Sequence, residues 1–223
     1  MQTQQSSSLH FLFIYGKGAA GKDTQAALLL QEDPTAIKIS TGDILREAKD
    51  PSHRYHDHLS PYIVAAEQEG TLIADDVVAG VVGEEIVRLL PEGKRLFIFT
   101  GFPRTEGQLQ ATDEIIARMR EQYSIRESHI LLSVFDRHSR ERAEMRKNEA
   151  LALKQQPRAD DERNIVDKRL GVYNLQTRPM LLRLFGEGRL QVASGKRDIP
   201  TVAENTRNMI GTEVIPMRPQ ERR

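Results

Sequence analysis

Residues 16–24 of this 223-residue chain read Gly-Lys-Gly-Ala-Ala-Gly-Lys-Asp-Thr, and they follow an apolar run that ends at Tyr15. The spacing GxxxxGK is typical of a phosphate-binding loop between a buried strand and a helix. Glycines let backbone N–H groups converge on an anion, the helix N-terminus adds a positive dipole end, and Lys22 adds a mobile charge. A glycine-rich turn with a chance lysine is the alternative. The flanks favour the phosphate loop, because 9–15 is predicted as a strand and 23–31 as a helix.

Outward from this loop, strands alternate with helices along the whole chain. We predict further strands at 36–40, 95–99, 130–135 and 190–193. The predicted helices are 41–49, 61–69 (capped by Ser60 and ended by Gly70), 75–90, 106–122, one from Ser139, one over 163–185, and 201–211. Such alternation is typical of an α/β fold with a parallel sheet, and we predict a single domain over residues 1–223.

Composition excludes several function classes. Lys and Arg total 32, as do Asp and Glu, which argues against a nucleic-acid coat or a polybasic membrane binder. Cysteine is absent, so no disulfide, thiol nucleophile or Cys-ligated metal is expected. The apolar run 9–15 is too short for a signal or membrane segment. We therefore expect a cytoplasmic protein with no nucleic-acid or membrane partner.

The phosphate loop alone does not choose between a motor, a GTPase and a kinase. No DxxG and no NKxD occurs in the sequence, which counts against a GTPase. Asp23 is unusual, because a Ser or Thr commonly follows the loop lysine and reaches magnesium. A carboxylate there is repelled by a triphosphate unless a metal lies between them.

Two more motifs follow later strands: Ile-Ser-Thr-Gly-Asp-Ile-Leu-Arg over 39–46, and Gly-Phe-Pro-Arg-Thr over 101–105 with Gln108. Together with residues 16–25 they resemble the nucleoside monophosphate kinases, and specifically the adenylate kinases. The similarity spans about residues 9 to 211 in the expected order. It continues through Gly70–Asp76, Arg142 and Arg146, Arg158–Asp161, Lys168–Leu170, and Tyr173 with Thr177–Pro179.

The resemblance implies a fold and a reaction. The fold would be that of the P-loop NTPases, with a five-stranded parallel sheet in the order 2-3-1-4-5 flanked by helices. Two small insertions would close on the substrates: 40–73 on the monophosphate side and 145–161 as a short lid. The reaction would be the reversible, Mg²⁺-dependent transfer of the ATP γ-phosphoryl group to AMP, which gives two ADP. We expect a monomer with ATP and AMP as its small-molecule partners.

The resemblance also implies a role for each matching residue. The ATP site would comprise Gly16, Gly18, Ala19, Ala20, Gly21, Lys22, Asp23, Thr24 and Arg142. The AMP site would comprise Thr41, Arg46, Ile73, Gly101, Arg104 and Gln108. The catalytic cations would be Lys22, Arg104, Arg146, Arg158 and Arg169, with Asp160 and Asp161 holding the arginines. We expect Lys22, Arg46, Arg104, Arg142, Arg146, Arg158 and Arg169 to converge on one cleft, with the acids elsewhere.

The acceptor base is predicted to be adenine. Thr41 and Thr105 match the adenylate pattern better than the pyrimidine pattern of the family, in which Ala and Asn are usual at these places. A kinase acting on UMP, CMP or another monophosphate is the first alternative. The second is a nucleotide-binding regulatory module whose chemistry is weak or lost.

The departures from the family fall on the metal site. Thr100 stands where an Asp usually precedes Gly101, and Asp23 stands where a Gly is usual. We predict that the acid lost at position 100 reappears at 23, and that Asp23 and Asp43 hold hydrated Mg²⁺. Zinc is not expected, since only the eleven residues 147–157 separate Arg146 from Arg158 and cysteine is absent. The histidines 53, 56 and 58 could bind a transition metal, but a solvated loop is the favoured interpretation.

Overall fold

A computed structural model describes residues 8–64 and 71–211 of the chain. Five strands form a single all-parallel sheet in the order β2-β3-β1-β4-β5, as predicted. The strands are β1 Ser8–Tyr15, β2 Ala36–Ser40, β3 Leu96–Thr100, β4 Ser124–Ser133 and β5 Leu190–Ser194. The helices in these residues are α1 Lys22–Glu32, α2 Thr41–Glu47, α3 His56–Val64, α4 Asp75–Leu89, α5 Glu106–Met119, α6 Asp136–Ala152, α7 Arg163–Val172, α8 Arg178–Gly186 and α9 Ile199–Gly211.

The central strand β1 is mostly apolar because both faces of the sheet are covered. Its odd-numbered side chains, such as Phe11 and Phe13, pack with α4, α5 and α8. Its even-numbered side chains, Leu12 and Ile14, pack on the other face with α1 and α9. The result is a three-layer α/β/α arrangement whose parallel strands all end at one edge of the sheet.

The helix α3 differs from its prediction. It begins at His56 rather than after a Ser60 cap, and Pro61 lies inside it. Tyr55, Leu59 and Ile63 recur every fourth residue and are buried in one apolar cluster. Packing of this stripe outweighs the backbone hydrogen bond that an internal proline forfeits. The predicted stop at Gly70 lies outside the described residues.

Two more elements differ in extent. β4 starts at Ser124, six residues before its predicted start, because its early residues pair with β1 from Ser8↔Ser124 onward. The predicted helix over 163–185 is α7 and α8 joined by a π-helical turn, Tyr173–Thr177. The predicted insertion 40–73 contains α2 and α3, and the predicted lid contains the end of α6, a loop and the 3₁₀ turn Ala159–Asp161.

Candidate active site

A cleft of about 530 Å³ opens at the carboxyl edge of the sheet. In parallel α/β sheets this edge is where loops from several strands can surround one ligand. The cleft is lined by the phosphate loop after β1, the start of α2 after β2, and the segment after β3. The opposite wall comes from α6, residues 156–161 and α7. Segments that are far apart in the chain therefore face one cavity.

The phosphate loop has the backbone that its glycines permit. Gly16 has a φ of +147°, and a Cβ there would lie 2.9 Å from the carbonyl oxygen of Leu132. Gly21 is left-handed (φ 100°) and precedes α1 without a capping side chain. The first N–H groups of α1 are therefore left to an anion. Ala19 also has a positive φ of 57°, a conformation that favours glycine.

Lys22 lies in the cleft and curls back over the loop. Its Nζ donates hydrogen bonds to the carbonyl oxygens of Gly16 at 2.9 Å and Lys17 at 2.8 Å. Burial, together with the charge of Arg104, lowers the pKa of Lys22 to about 8. An anion in the cleft would counter both effects, since it stabilises the ammonium form.

Five arginines line the cleft with Lys22, and they come from five separate segments. Arg104 is the most confined: burial and the neighbouring charge of Arg169 lower its pKa to about 10. Its Nε donates to the carbonyl oxygen of Gly101 at 2.6 Å. The five arginines are Arg46, Arg104, Arg146, Arg158 and Arg169. Guanidinium groups crowded in this way are suited to a polyanion with several phosphate oxygens.

Acidic residues lie in the same cleft, so the expectation that they lie elsewhere is wrong. Asp161 is 2% exposed and accepts two hydrogen bonds from Arg146, one of them from Nε at 2.7 Å. Asp160 accepts from Arg169. Burial alone would raise the pKa of Asp160, but the arginines that surround it lower it. The two aspartates hold arginine side chains in place, as the sequence predicted.

Arg142 does not line the cleft, in contrast to the expectation that seven cations converge there. Its guanidinium donates to the carbonyl oxygens of Gly195 at 2.7 Å and Ala20 at 3.4 Å. It thereby links the phosphate loop to the turn after β5. Of the other predicted ATP-site and metal residues, Ala20, Gly21, Thr24 and Asp43 are likewise not among the lining residues.

The predicted acceptor side is built around the segment after β3. Gly101 has a φ of +79°, and a Cβ there would lie 2.6 Å from Arg104 Nη2. Its carbonyl oxygen also accepts from the Thr41 hydroxyl at 2.9 Å. Gln108, 2% exposed, accepts the Arg104 backbone N–H through Oε1 at 2.8 Å. Buried Ile73 lines the same end of the cleft.

Thr105, which the sequence predicts to mark base specificity, makes its hydrogen bonds outside the cleft. Its hydroxyl caps α5 by accepting the Gln108 backbone N–H at 3.1 Å and donates to Asp75 Oδ1 at 2.7 Å. It does not line the cleft. Thr105 therefore ties the start of α4 to the start of α5.

The predicted metal residues meet at one corner of the phosphate site. The Thr100 hydroxyl donates to Asp23 Oδ1 at 3.0 Å, so the acid at 23 reaches position 100. Asp43 pairs with Arg46, and both Asp43 and Asp23 lie near the Lys38 ammonium. Burial alone would raise the pKa of Asp43, but hydrogen bonds from Lys38 and Arg46 lower it. The two carboxylates supply the hard oxygen donors that Mg²⁺ prefers, so the residues fit a hydrated ion.

Sequence reasoning missed two lysines at this end of the sheet. Lys38, in the middle of β2, places Nζ 2.5 Å from Asp43 Oδ2 and 3.8 Å from Asp23 Oδ1. Lys17, inside the phosphate loop, pairs with Asp136 at the start of α6. The available signal for Lys38 was a single charged residue within an otherwise apolar strand, five residues before Asp43.

The histidine cluster shows no arrangement for a metal. Within residues 8–64 and 71–211, no group of three His, Cys, Asp or Glu side chains could hold an ion. His56 Nδ1 lies 2.8 Å from the carbonyl oxygen of Ala48, and His53 faces Glu47 at 3.8 Å. In the same part of the chain, no helix combines the length and apolar character needed to cross a membrane.

Comparisons with known proteins point to one family. The sequence model of the family described as adenylate kinase matches residues 14–186. An adenylate kinase of Parvibaculum lavamentivorans is 31% identical over 200 residues, which cover 90% of this chain and 91% of the relative. One from Nitrobacter winogradskyi is 31% identical over 209 residues (92% and 95%). One from Deinococcus radiodurans is 32% identical over 191 residues (86% and 91%).

Proposed function

This chain belongs to the adenylate kinase family, and from that premise we propose that it transfers the γ-phosphoryl group of ATP to AMP, reversibly and with Mg²⁺. The observation that carries the proposal is the convergence of Lys22 and five arginines on one cleft next to a phosphate loop. A regulatory nucleotide-binding module needs one nucleotide site. Cations on both walls of the cleft instead suit two phosphorylated substrates facing each other.

The chemistry asks for positioning and charge rather than a covalent group. In phosphoryl transfer, negative charge spreads over the equatorial oxygens while attacking and leaving oxygens lie in line. Lys22 and the N–H groups that begin α1 would hold the donor phosphates. Arg46 and Arg104 would hold the acceptor phosphate. Arg146, Arg158 and Arg169 would face the transferring group, with Asp160 and Asp161 fixing two of them in advance.

Mg²⁺ is part of the proposal on chemical grounds. Asp23 and Asp43 would hold it through water, and its charge would neutralise phosphate oxygens of the donor. Thr100 would orient Asp23 through the hydrogen bond from its hydroxyl. Asp23 would then supply the carboxylate that most members of the family carry at position 100.

Gln108 supports adenine as the acceptor base. Because Oε1 accepts the Arg104 backbone N–H, the Nε2 amino group is the end of the side chain that can donate to a base. Adenine presents an acceptor at N1, whereas guanine and uracil present N–H groups on the corresponding edge. A buried donor that meets another donor loses a hydrogen bond on each side, which is costly. Cytosine also presents an acceptor there, so CMP is the nearest competitor.

An assay of ADP formation from MgATP with AMP, UMP, CMP and GMP tests the proposal. We expect AMP to be the best acceptor by kcat/KM, CMP the next, and UMP and GMP the poorest. If another monophosphate is the best acceptor, that nucleotide takes the place of AMP in the proposal. Nucleotide binding without turnover on any acceptor would instead favour the regulatory module. A cytoplasmic monomer remains a prediction from the sequence.

A further inference from the structure

Lys38 occupies the space between the two carboxylates assigned to the metal corner. Its Nζ lies 2.5 Å from Asp43 Oδ2 and 3.8 Å from Asp23 Oδ1. Only 26% of the Lys38 side chain is exposed, compared with 29% for Asp43 and 49% for Asp23. Partial burial restricts the ammonium group and reduces screening by solvent. These contacts are therefore worth more than an average surface ion pair.

Lys38 is one of several positive charges near Asp23, since Lys22, Arg104 and Arg146 also interact with this carboxylate. Asp23 directly follows Lys22 at the start of α1, so its carboxylate lies at the mouth of the phosphate loop. Asp43 is already paired with Arg46. The second carboxylate, Asp23, has the Thr100 hydroxyl as a neutral donor and Lys38 as a nearby positive charge. Without Lys38, less positive charge would offset the Asp23 carboxylate, which repels a triphosphate that arrives without a metal.

We propose that Lys38 is a built-in counter-cation for the Asp23–Asp43 pair, and that it lets the phosphate site accept a nucleoside triphosphate with less dependence on a divalent ion. The proposal rests on the proposed function in one respect, since it takes ATP as the ligand. Lys38 acts through the two carboxylates and is thus a positioning residue. A divalent ion and the Lys38 ammonium neutralise the same acids, so each reduces the need for the other.

The test is calorimetric titration of the full chain with ATP, once in EDTA and once in excess Mg²⁺. In Lys38→Met, which keeps the aliphatic length, we expect metal-free affinity to fall about tenfold and affinity with Mg²⁺ to change less than about twofold. Lys38→Arg keeps the charge and is expected to bind like the parent chain in both buffers. Lys94→Met is the matched control for net charge, because Lys94 Nζ donates to the Pro34 carbonyl oxygen at the opposite end of β2.

A second background separates charge from structure. In Asp23→Asn the repulsive carboxylate is gone, so adding Lys38→Met is expected to cost less than about twofold in EDTA. The proposal is overturned if Lys38→Met loses the same ATP affinity with and without Mg²⁺, or if it loses none in EDTA. It is also overturned if the loss in EDTA is undiminished in the Asp23→Asn background. If the parent chain binds ATP in neither buffer, the proposed function fails and this inference fails with it. If the parent chain binds ATP and the ratio of ATP affinities with and without Mg²⁺ is the same in Lys38→Met, the inference is refuted but the proposed function is not.

Discussion

Charged side chains are arranged differently at the two ends of the parallel sheet. At the carboxyl end, the described residues that line the cleft include Lys22, Lys49, five arginines and three aspartates, a formal excess of four positive charges among them. Toward the amino end, Glu127 on β4 lies among Arg120, Arg189 and His129, and Arg189 also pairs with Asp113 at 2.8 Å. One end leaves charge for a ligand to neutralise, whereas the other neutralises its charge within the protein.

The polar groups around Glu127 form a connected network that extends along the sheet to Tyr15, the last residue of β1. His129, 2% exposed, stacks on Phe13 at 4.7 Å and lies 2.8 Å from the Tyr15 hydroxyl through Nδ1. Burial alone would raise the pKa of Glu127, but the hydrogen bond from His129 and the charge of Arg189 lower it to about 2. Such a network stabilises the fold only when every member keeps its partner.

This difference predicts that removing a cation affects a different property at each end of the sheet. Removing Lys22 from the cleft should cost ligand binding and turnover rather than stability, because its ammonium donates to backbone carbonyl oxygens. Removing a cation from the amino end should cost stability, because a buried carboxylate loses its partner. Four predictions test this separation, in order of decreasing effect.

Lys22→Met is expected to reduce turnover about a thousandfold or more, equivalent to about 4 kcal/mol of transition-state stabilisation. Its stability should be equal to that of the parent or higher, because burial already disfavours the ammonium form of Lys22. The measurements are ADP formation from MgATP and AMP, and urea denaturation. A loss of stability that accompanies the loss of turnover would contradict the separation.

Arg189→Met is expected to lower the free energy of unfolding by about 2–4 kcal/mol, because Glu127 and Asp113 lose their shared partner. ATP affinity of the folded protein should stay within about twofold. Arg183→Met is the matched control: its ion pairs with Glu106 and Glu187 are exposed, so the expected change is under about 0.5 kcal/mol. Equal effects of the two substitutions in urea denaturation would show that the amino-end network adds nothing.

His10, whose Nε2 lies 2.9 Å from Ser128 Oγ, predicts a pH effect at the amino end. Burial, and secondarily the charge of Arg126, lowers the pKa of His10 to about 4. Between its ordinary pKa and this value the unfolded chain binds the extra proton, so stability falls as the pH drops from 6.5 to 4. His10→Gln should reduce that fall by up to about 3 kcal/mol in urea denaturation. Parallel pH profiles of parent and variant would refute this effect.

Asp23→Gly is expected to reduce Mg²⁺-dependent turnover about tenfold, because the carboxylate that reaches Thr100 is lost. Adding Thr100→Asp to that variant returns an acid to the same corner and should restore most of the activity. The measurement is turnover as a function of Mg²⁺ concentration. Undiminished turnover in Asp23→Gly, or no recovery in the double variant, would show that the two positions do not substitute for each other.

Much of the fold was predictable because its signals are local. The strand, glycine loop and helix of residues 9–32 are recognisable from spacing alone, and apolar runs located all five strands. The boundaries that failed depend on distant partners. The early part of β4 forms because β1 lies beside it, and α3 begins at His56 because a stripe from Tyr55 to Ile63 packs on Ile73 and Val81.

The sequence by itself determined the order of the motifs, the parallel α/β class and the set of cations that could bind phosphates. Each motif, strand and helix is recognisable from residues that are close together in the chain. Only the tertiary structure decided which charges share the cleft. It placed Asp160 and Asp161 inside and Arg142 outside, and it joined Asp23 to Thr100, 77 positions away, with Lys38 beside them. The physical reason is that a parallel sheet brings the carboxyl ends of distant strands to one edge, and local spacing does not record that proximity.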